Sequence, residues 1–184
     1  MKLTEELIQE HEEIRLVLNI MSKISEDIKN QKLFYSDDID NIGEFIFNYW
    51  DKCHCKKEEK ALFPALILEV DSKEKKMIEN LYNDHISGKN YLREIKSCVE
   101  NCKVGNPFSC EKLAEFLTGF VNMLRIHMRN EEIHFFPLAC NILSIDKQNL
   151  VLEHYDKIDK KILKQKVHEQ YHNLLKELEK KYIG

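Results

Sequence analysis

The sequence predicts an all-α protein, an antiparallel up-down four-helix bundle with an additional C-terminal helical segment. Two observations predict this fold. Only 5 glycines and 3 prolines occur among 184 residues, which leaves few residues that form turns. Apolar residues also recur along four long stretches at alternating spacings of three and four, the period of an amphipathic helix. Both observations disfavour a many-stranded β fold.

The first two predicted helices carry histidine on their apolar stripes. The first begins at Thr4 as N-cap, with acidic residues in its first turn, and the second follows Ser36 and is expected to end at Pro64. The first stripe contains Leu7, His11, Ile14, Leu18, Met21, Ser25 and Ile28. The second contains Ile39, Ile42, Ile46, Trp50, His54, Glu58 and Leu62, so its second half is polar.

The next two predicted helices repeat this pattern. The third follows Ser72, and the fourth begins near Ser109, after the Gly105-Asn106-Pro107 break, and stops before Pro137. The third stripe contains Ile78, Leu81, His85, Gly88, Leu92, Ile95, Val99 and Cys102. The fourth contains Leu113, Leu117, Phe120, Leu124, His127, Glu131 and Phe135. Four helices therefore point four histidines and two glutamates inward.

A further helical segment is predicted after Ser144 and Asp146. It runs to the C-terminus, is dense in Lys and Glu elsewhere, and has a packing stripe of Val167, Tyr171, Leu174 and Leu178. A linker rich in Pro or Gly does not precede it. We therefore expect residues 1–145 to form the bundle and residues 146–184 to form an extension packed on it.

Charge and hydropathy exclude several classes of partner. The net charge is −4, with 43% hydrophobic and 33% charged residues, so no positive field attracts nucleic acid or anionic lipid. The apolar run 61–68 contains Pro64 and falls far short of the ~18 residues that span a bilayer. The N-terminus lacks the apolar core of a secretory signal. We expect a cytoplasmic protein whose six cysteines are thiols.

An internal repeat carries the polar residues of the stripes. Five residues recur in the same relative positions at a displacement of 73: His54, Glu58, Glu59, Phe63 and Pro64 become His127, Glu131, Glu132, Phe136 and Pro137. The lone histidines His11 and His85 are displaced by 74. The chain therefore consists of two helical hairpins of similar design, each with one lone histidine and one H-x-x-x-E pair.

This pattern predicts a metal centre. Residues at i and i+4 project from one face of a helix, so each H-x-x-x-E pair is a two-ligand clamp, and the lone histidines complete the set. Inward carboxylates would be costly to desolvate without a cation. The predicted ligands are His11, His54, Glu58, His85, His127 and Glu131. With both glutamates bridging, each of two metal ions keeps about two positions for an oxo or hydroxo bridge and an exogenous ligand.

The donor atoms favour iron, with manganese second, over a structural zinc site, which usually uses cysteine. A metal-free alternative also exists: Arg15 and Lys89, each one turn after a lone histidine, would neutralise buried Glu58 or Glu131 in an ion-pair network. That alternative explains neither the repeat nor the four inward histidines.

The motifs around these residues resemble the hemerythrin-like, or HHE cation-binding, domain. They are H-E-E-I at His11, H-C-K-K-E-E-K-A-L-F-P from His54, N-D-H around His85 and H-M-R-N-E-E-I-H-F-F-P from His127. The resemblance covers about residues 1–140. It implies an antiparallel four-helix bundle that holds a non-haem di-iron centre, bridged by oxo or hydroxo and by carboxylates, with the same six residues as ligands.

Departures from the oxygen carriers of this family narrow the expected function. Those proteins have H-x-x-x-H on the third helix and H-x-x-x-x-D on the fourth. Here the residue four positions after His85 is Lys89, and the residue four positions after His127 is Glu131. The departure argues against reversible oxygen transport. The four-His, two-Glu set is closer to the branch that includes iron-centre repair proteins. Those proteins carry an N-terminal cysteine-containing domain, for which we expect no room before His11.

The expected function is the binding of O2, NO or peroxide at open iron positions, in an oxygen or nitrosative and oxidative stress response or in sensing. Two alternatives use the same six ligands: reduction of O2, peroxide or NO with an external electron donor, and storage or donation of iron for repair. Whether the protein is an enzyme therefore stays open, and the sequence assigns no catalytic residue.

Other polar residues near these motifs have two interpretations each. Glu59 and Glu132 could accept hydrogen bonds from a ligand imidazole, but a solvated helix face is favoured and both are left outside the ligand set. Trp50 and Tyr82 could cover the site, with plain core packing favoured. The pair His168 and His172 on the last segment could touch a secondary metal, with an exposed surface pair favoured.

Overall fold

A computed structural model describes residues 3–32, 34–103, 107–162 and 165–184, with the backbone alone for residues 107 and 165–168. These residues form helices without strands, and the prediction of an all-α bundle is confirmed. Six helices are described: α1 (Glu5–Lys29), α2 (residues 36–67), α3 (Ser72–Lys103), α4 (residues 107–142), α5 (Ile145–Ile162) and α6 (Gln165–Tyr182). Gly105 and Asn106 of the predicted break lie outside the described residues, and α4 begins at Pro107.

Contacts between neighbouring helices show that α1 to α4 run antiparallel. His11 near the start of α1 lies beside Glu132 near the end of α4, whereas Ser25 near the end of α1 donates to the carbonyl oxygen of Ala114 near the start of α4. The same inverse order joins α2 to α3 and α3 to α4. The short connections between consecutive helices fit this topology.

Helices α2 and α4 both contain π-helical turns at the same point of the repeat. In α2 the α-helix Ser36–Phe45 is followed by the π-helix Ile46–His54, and a second π-helix, Glu58–Leu62, precedes Phe63–Ile67. In α4 the π-helix Glu131–Phe135 precedes Phe136–Ile142. The π-turns that begin at Glu58 and Glu131 are 73 residues apart, the displacement of the repeat. Turns of this kind inside α-helices are frequent at functional sites.

The predicted helix ends at Pro64 and Pro137 are wrong, since both helices continue past them, to Ile67 and Ile142. The π-turn supplies the physical reason. Proline lacks the backbone N–H that an α-helix interior needs, but here each proline lies in the first turn of the α-helical stretch that follows a π-turn. At that position the missing donor is tolerated.

The polar part of the stripes separates two apolar clusters. One cluster lies toward the α3–α4 connection and includes Trp50, Leu124 and Met128, and the other lies toward the opposite end and includes Leu62 and Phe135. The predicted stripe residues on α1 to α4 are buried, apart from half-buried Ile28, Leu92 and Cys102. Burial of these aliphatic and aromatic side chains drives packing, at about 25 cal/mol per Å² of apolar surface.

The C-terminal segment forms two helices rather than one. Helix α5 packs on α2 near Cys53 and Lys57, and α6 continues along the same side, where Tyr171 meets Phe45 edge to face. Of the predicted stripe, Leu178 is buried, Tyr171 and Leu174 are half-buried, and the Val167 side chain lies outside the described residues. Within the described ranges, none of the helices has the length and apolar character needed to cross a bilayer.

Two glycines in the helices are expected to respond oppositely to alanine. A Cβ at Gly88 would overlap Cη2 of Trp50, which is fully buried, whereas a Cβ at Gly43 would meet no atom within 4 Å. We expect Gly88→Ala to destabilise the protein by roughly 1–3 kcal/mol through overpacking. Gly43→Ala should stabilise it by roughly 0.5–1 kcal/mol through lower backbone entropy. Urea unfolding of both variants measures this, and a Gly88→Ala variant at least as stable as the wild type would contradict the packing at Trp50.

Candidate metal centre

Six polar side chains meet at one level of the bundle, between the two apolar clusters. Each is 0% exposed, and each of the four bundle helices contributes at least one. They are the residues that the sequence pattern singled out: His11 on α1, His54 and Glu58 on α2, His85 on α3, and His127 and Glu131 on α4. We call these six the inner residues.

The inner residues form two overlapping clusters. The first cluster contains His11, His54 and Glu131, and the second contains Glu58, His85, His127 and Glu131. In each cluster one donor atom per residue lies within 4.8 Å of all the others. Each cluster therefore takes both histidines of one hairpin and a glutamate of the other.

Glu131 faces both clusters. Its Oε2 lies 3.3 Å from His11 Nε2, and its Oε1 lies 3.1 Å from His127 Nε2. Glu58 Oε2 lies 3.2 Å from His85 Nε2 and 3.7 Å from His54 Nε2. Glu131 thus directs one carboxylate oxygen to each cluster, which is the orientation that a carboxylate bridging two ions requires.

The inner residues point polar atoms at the space between them. The buried side-chain atoms without a hydrogen-bond partner in the described part of the chain include Nε2 of His85 and of His127 and both carboxylate oxygens of Glu58 and of Glu131. A buried polar atom left without a partner costs about 1–3 kcal/mol. Imidazole nitrogens and carboxylate oxygens that converge in this way fit a metal ion, which would supply the missing partner.

The neighbouring charges shift the protonation of the inner residues. Burial alone would lower the pKa of both His11 and His127, but hydrogen bonds and the charge of Glu131 raise the pKa of each to about 9. Burial alone would raise the pKa of Glu131, but His127 and His11 hold it well below its usual range. Positive imidazolium groups therefore offset the carboxylate in the metal-free site.

Four further carboxylates surround the inner histidines, and we call them the outer carboxylates. Each accepts a hydrogen bond from Nδ1 of one histidine. The pairs are His11 with Glu132 at 2.6 Å, His54 with Glu10 at 2.7 Å, His85 with Glu59 at 3.1 Å and His127 with Asp84 at 3.3 Å. Because Nδ1 carries the donated proton, Nε2 is left to point at the cluster. A carboxylate behind each ligand histidine is the arrangement that orients metal-bound imidazoles.

The outer carboxylates follow the internal repeat. Glu10 and Asp84 directly precede the lone histidines and pair with the other histidine of the same hairpin. Glu59 and Glu132 directly follow the inner glutamates and pair with the lone histidine of the opposite hairpin. The interpretation of Glu59 and Glu132 as a solvated face is therefore wrong, because a neighbouring helix brings a histidine to each of them.

Sequence reasoning missed Glu10 and Asp84 altogether. A signal was present, because an acidic residue directly precedes each lone histidine. Glu10 and Asp84 are 74 positions apart, as His11 and His85 are. Their helical position did not reveal it. A residue adjacent to an inward histidine lies about 100° around the helix, and only the position of the next helix decides what it meets.

The cations named in the metal-free alternative lie one layer out. Arg15 pairs with Glu12 and Glu132, and Lys89 pairs with Asp51 at 3.0 Å and with Glu59 at 3.4 Å. These contacts neutralise the outer carboxylates Glu132 and Glu59, whereas the inner glutamates lie next to the inner histidines. The geometry thus favours the metal centre over the ion-pair network.

The two hairpins differ in how much solvent reaches the outer carboxylates. The side chains of Glu10 and Glu59, from the first hairpin, are nearly buried. Those of Glu132 and Asp84, from the second, are 25% and 38% exposed. A single, partly exposed carboxylate therefore lies between solvent and Nδ1 of His11 and of His127.

Aromatic rings close the site above and below. Phe63 stacks on His85 at 5.8 Å between ring centroids, and its repeat partner Phe136 stacks on His11 at 5.6 Å. Trp50 meets His85 edge to face at 6.1 Å, so the core-packing interpretation describes it well. Tyr82 is 47% exposed, so it neither covers the site nor packs in the core, and the core-packing interpretation is wrong for it.

Two observations concern residues outside the inner set. Cys53, next to His54, is buried and donates to Asp159 Oδ1 on α5 at 3.0 Å. Together with Glu10 these residues form a third group of potential metal-binding side chains. His172 is exposed, and the His168 side chain lies outside the described residues, so the predicted surface pair stays a prediction.

Metal uptake is expected to release protons. The pKa of His11 and His127 is about 9 in the metal-free protein against an ordinary value of 6.5, so both are protonated near neutral pH, whereas a metal ligand must be a neutral imidazole. Protonation stabilises the metal-free fold fully below 6.5, and this contribution is lost as pH rises through about 9. Metal affinity should therefore rise over the same range.

Calorimetric titration with Fe(II) in buffers of different ionisation enthalpy measures the protons released at each pH. An affinity that is independent of pH between 6.5 and 9 would contradict these protonation states.

Comparison with known proteins agrees with this geometry. The profile of one family, described as Hemerythrin HHE cation binding domain, matches residues 2–140, a range that includes all six inner residues. Searches of curated proteins and of solved structures gave no match. The family match ends before α5 and α6.

Proposed function

The chain belongs to the hemerythrin HHE cation-binding domain family, and from that premise we propose that it is a non-haem di-iron protein that binds O2, NO or peroxide. Within this proposal it acts in the response to oxygen or to nitrosative and oxidative stress, or as a sensor. Residues 1–145 are the metal-binding bundle, and residues 146–184 are an extension laid on it.

The convergence of unpartnered buried atoms carries the proposal. Two clusters that share Glu131 offer places for two ions, and each cluster contains two imidazoles. We infer that the metal ligands are the inner residues, His11, His54, Glu58, His85, His127 and Glu131. The carboxylates supply negative charge that two cations would offset.

The donor chemistry supports iron. All donor atoms of the inner residues are imidazole nitrogens or carboxylate oxygens, a set that suits iron or manganese, whereas structural zinc sites usually use thiolates. Bound iron would supply coordination positions for a small ligand and electrons to reduce it. The outer carboxylates hold the imidazoles in orientation by accepting from Nδ1.

The surroundings of the site support a small ligand. The inner residues are fully buried, and stacked rings of Phe63 and Phe136 lie against His85 and His11. A buried apolar surrounding disfavours charged or bulky molecules, which would need desolvation or rearrangement of these rings. Diatomic gases and peroxide meet that limit of size and charge.

One optical titration tests the proposal. Fe(II) is added to the metal-free protein without oxygen, iron per chain is measured, air is admitted and the near-ultraviolet and visible spectrum is recorded. We expect about two irons per chain and new bands typical of ferric iron with oxygen ligands. Recovery of the starting spectrum on degassing would indicate reversible binding, and a persistent change would indicate oxidation. Absence of iron binding would overturn the proposal.

A reductase is the second candidate, and the exposure of the second-hairpin carboxylates favours it. Reduction of O2, peroxide or NO consumes protons, and Asp84 and Glu132 connect Nδ1 of His127 and of His11 to solvent. Such an enzyme needs an external electron donor. Repeated consumption of O2, peroxide or NO by the iron-loaded protein with a chemical reductant would support this candidate, and a single stoichiometric reaction would exclude it.

A further inference from the structure

Lys57 is a buried lysine at the edge of the metal centre. Its side chain is 1% exposed, and its ammonium lies among three carboxylates, those of Glu6, Glu10 and Asp159. Burial alone would lower the pKa of Lys57, but Glu10, Cys53 and Asp159 raise it, so the ammonium stays charged. Burying such a charge costs several kcal/mol unless good partners surround it. The sequence position gives no hint of this, since Lys57 lies among the charged residues between His54 and Lys60.

The contacts form a chain that ends at an inner histidine. Asp159 Oδ1 lies 2.8 Å from Lys57 Nζ, which lies 2.5 Å from Glu10 Oε1. The other oxygen of Glu10, Oε2, accepts from His54 Nδ1 at 2.7 Å. Asp159 is on α5, so a helix beyond the family match reaches the first cluster through two intervening side chains.

A third metal site is the competing interpretation of these residues, since Glu10, Cys53 and Asp159 could together hold an ion. The ammonium of Lys57 disfavours it. Lys57 Nζ lies within hydrogen-bond distance of the same two carboxylates, and Cys53 donates its thiol proton to Asp159 Oδ1. The built-in cation already neutralises the group.

Within the described residues, His127, the counterpart of His54 in the second hairpin, has no such chain behind it, although Lys89 links Asp51 to Glu59 beside His85 in a similar way. At the displacement of the repeat, the position of Lys57 is occupied by Asn130, which is exposed. Asp84, the counterpart of Glu10, is 38% exposed and accepts from His127 at 3.3 Å rather than 2.7 Å. His54 and His127, which are equivalent in the repeat, thus differ in how firmly their outer carboxylates are held.

We propose that Asp159 and Lys57 are positioning residues that hold Glu10 against His54, and that helix α5 in this way slows the loss of the metal ion bound at the first cluster. The proposal rests on the proposed two-metal function. It assigns to the C-terminal extension a role in metal retention, exerted on one of the two ions. Loss of an outer partner of a ligand histidine typically changes metal affinity by about 10- to 100-fold.

The test is the rate of iron release from Asp159→Asn in the full chain. The protein is loaded with Fe(II) without oxygen, a chromogenic Fe(II) chelator is added in excess, and release is followed by absorbance. We expect two phases in the wild-type protein and about tenfold acceleration of one phase in Asp159→Asn. Asp84→Asn, which removes the charge beside His127, should accelerate the other phase. Asp159→Glu, which keeps the carboxylate, should restore most of the wild-type rate.

Lys147→Met is the matched control. Lys147 is also on α5 and pairs with Glu69 in the turn after α2, but this pair is exposed and away from the inner residues. The Lys147→Met replacement therefore weakens the attachment of α5 without changing the contacts of Lys57. We expect the wild-type rate of iron release. Far-UV circular dichroism and urea midpoints of all variants show whether they fold alike.

Three results would overturn the inference. They are unchanged release in Asp159→Asn, equal acceleration of both phases, and equal acceleration in Lys147→Met, which would indicate general loosening of the fold. These outcomes differ from failure of the proposed function. A wild-type chain that binds fewer than two irons overturns both, whereas two bound irons with wild-type release in Asp159→Asn overturn the role of α5 alone.

Discussion

Replacing Glu58 and Glu131 together by alanine is expected to reduce bound iron from about two ions per chain to none. The two carboxylates lie between the clusters, and Glu131 directs one oxygen to each histidine pair. Without them only imidazoles remain, and two ions would lie close together in a buried site with no inner negative charge. Repulsion between the ions and their desolvation would then be uncompensated.

Iron per chain after anaerobic loading and desalting measures this effect. A double replacement of two exposed glutamates, Glu26→Ala with Glu115→Ala, removes the same charge from the surface and should retain wild-type iron content. Two irons retained in the Glu58→Ala, Glu131→Ala variant would overturn the assignment of the inner residues as ligands.

Removal of the metal is expected to destabilise the fold by several kcal/mol. In the metal-free protein both inner glutamates are fully buried, and Glu58 Oε1 has no hydrogen-bond partner, which costs about 1–3 kcal/mol. An ion that binds only the folded chain also stabilises it by mass action, by about 4 kcal/mol at a thousandfold excess over its Kd. The midpoint of urea unfolding should therefore fall when a chelator is present.

The Glu58→Ala, Glu131→Ala variant supplies the control for this second effect. Its urea midpoint should not respond to iron or to chelator, because it has no site. A wild-type midpoint that is equal with and without metal would contradict the expected stabilisation of the fold by a bound ion.

The inner residues could be predicted because both kinds of evidence are spacings along the chain. The spacing of three and four puts His54 and Glu58 on one face of a helix, and the displacement of 73 residues links this pair to His127 and Glu131. Their burial then follows from the apolar residues one turn before and after. No knowledge of a neighbouring helix is needed for this step.

The environment of the outer carboxylates and of Lys57 could not be predicted in this way, because contacts between helices decide it. Glu59 would be solvated on an isolated helix, and it is buried only because α3 brings His85 to it. Lys57 would be an ordinary surface lysine without Asp159 on α5. The π-turns before Pro64 and Pro137 likewise depend on how each helix fits the bundle, so the sequence predicted helix ends there instead.

The exchange of side chains between the hairpins makes the chain equivalent to a fused dimer. The first cluster needs Glu131 from the second hairpin, the second cluster needs Glu58 from the first, and each lone histidine donates a hydrogen bond to an outer carboxylate of the opposite hairpin. Neither half can complete a cluster alone. A backbone cut in the 68–71 connection would therefore give two complementary fragments that need each other to complete either cluster.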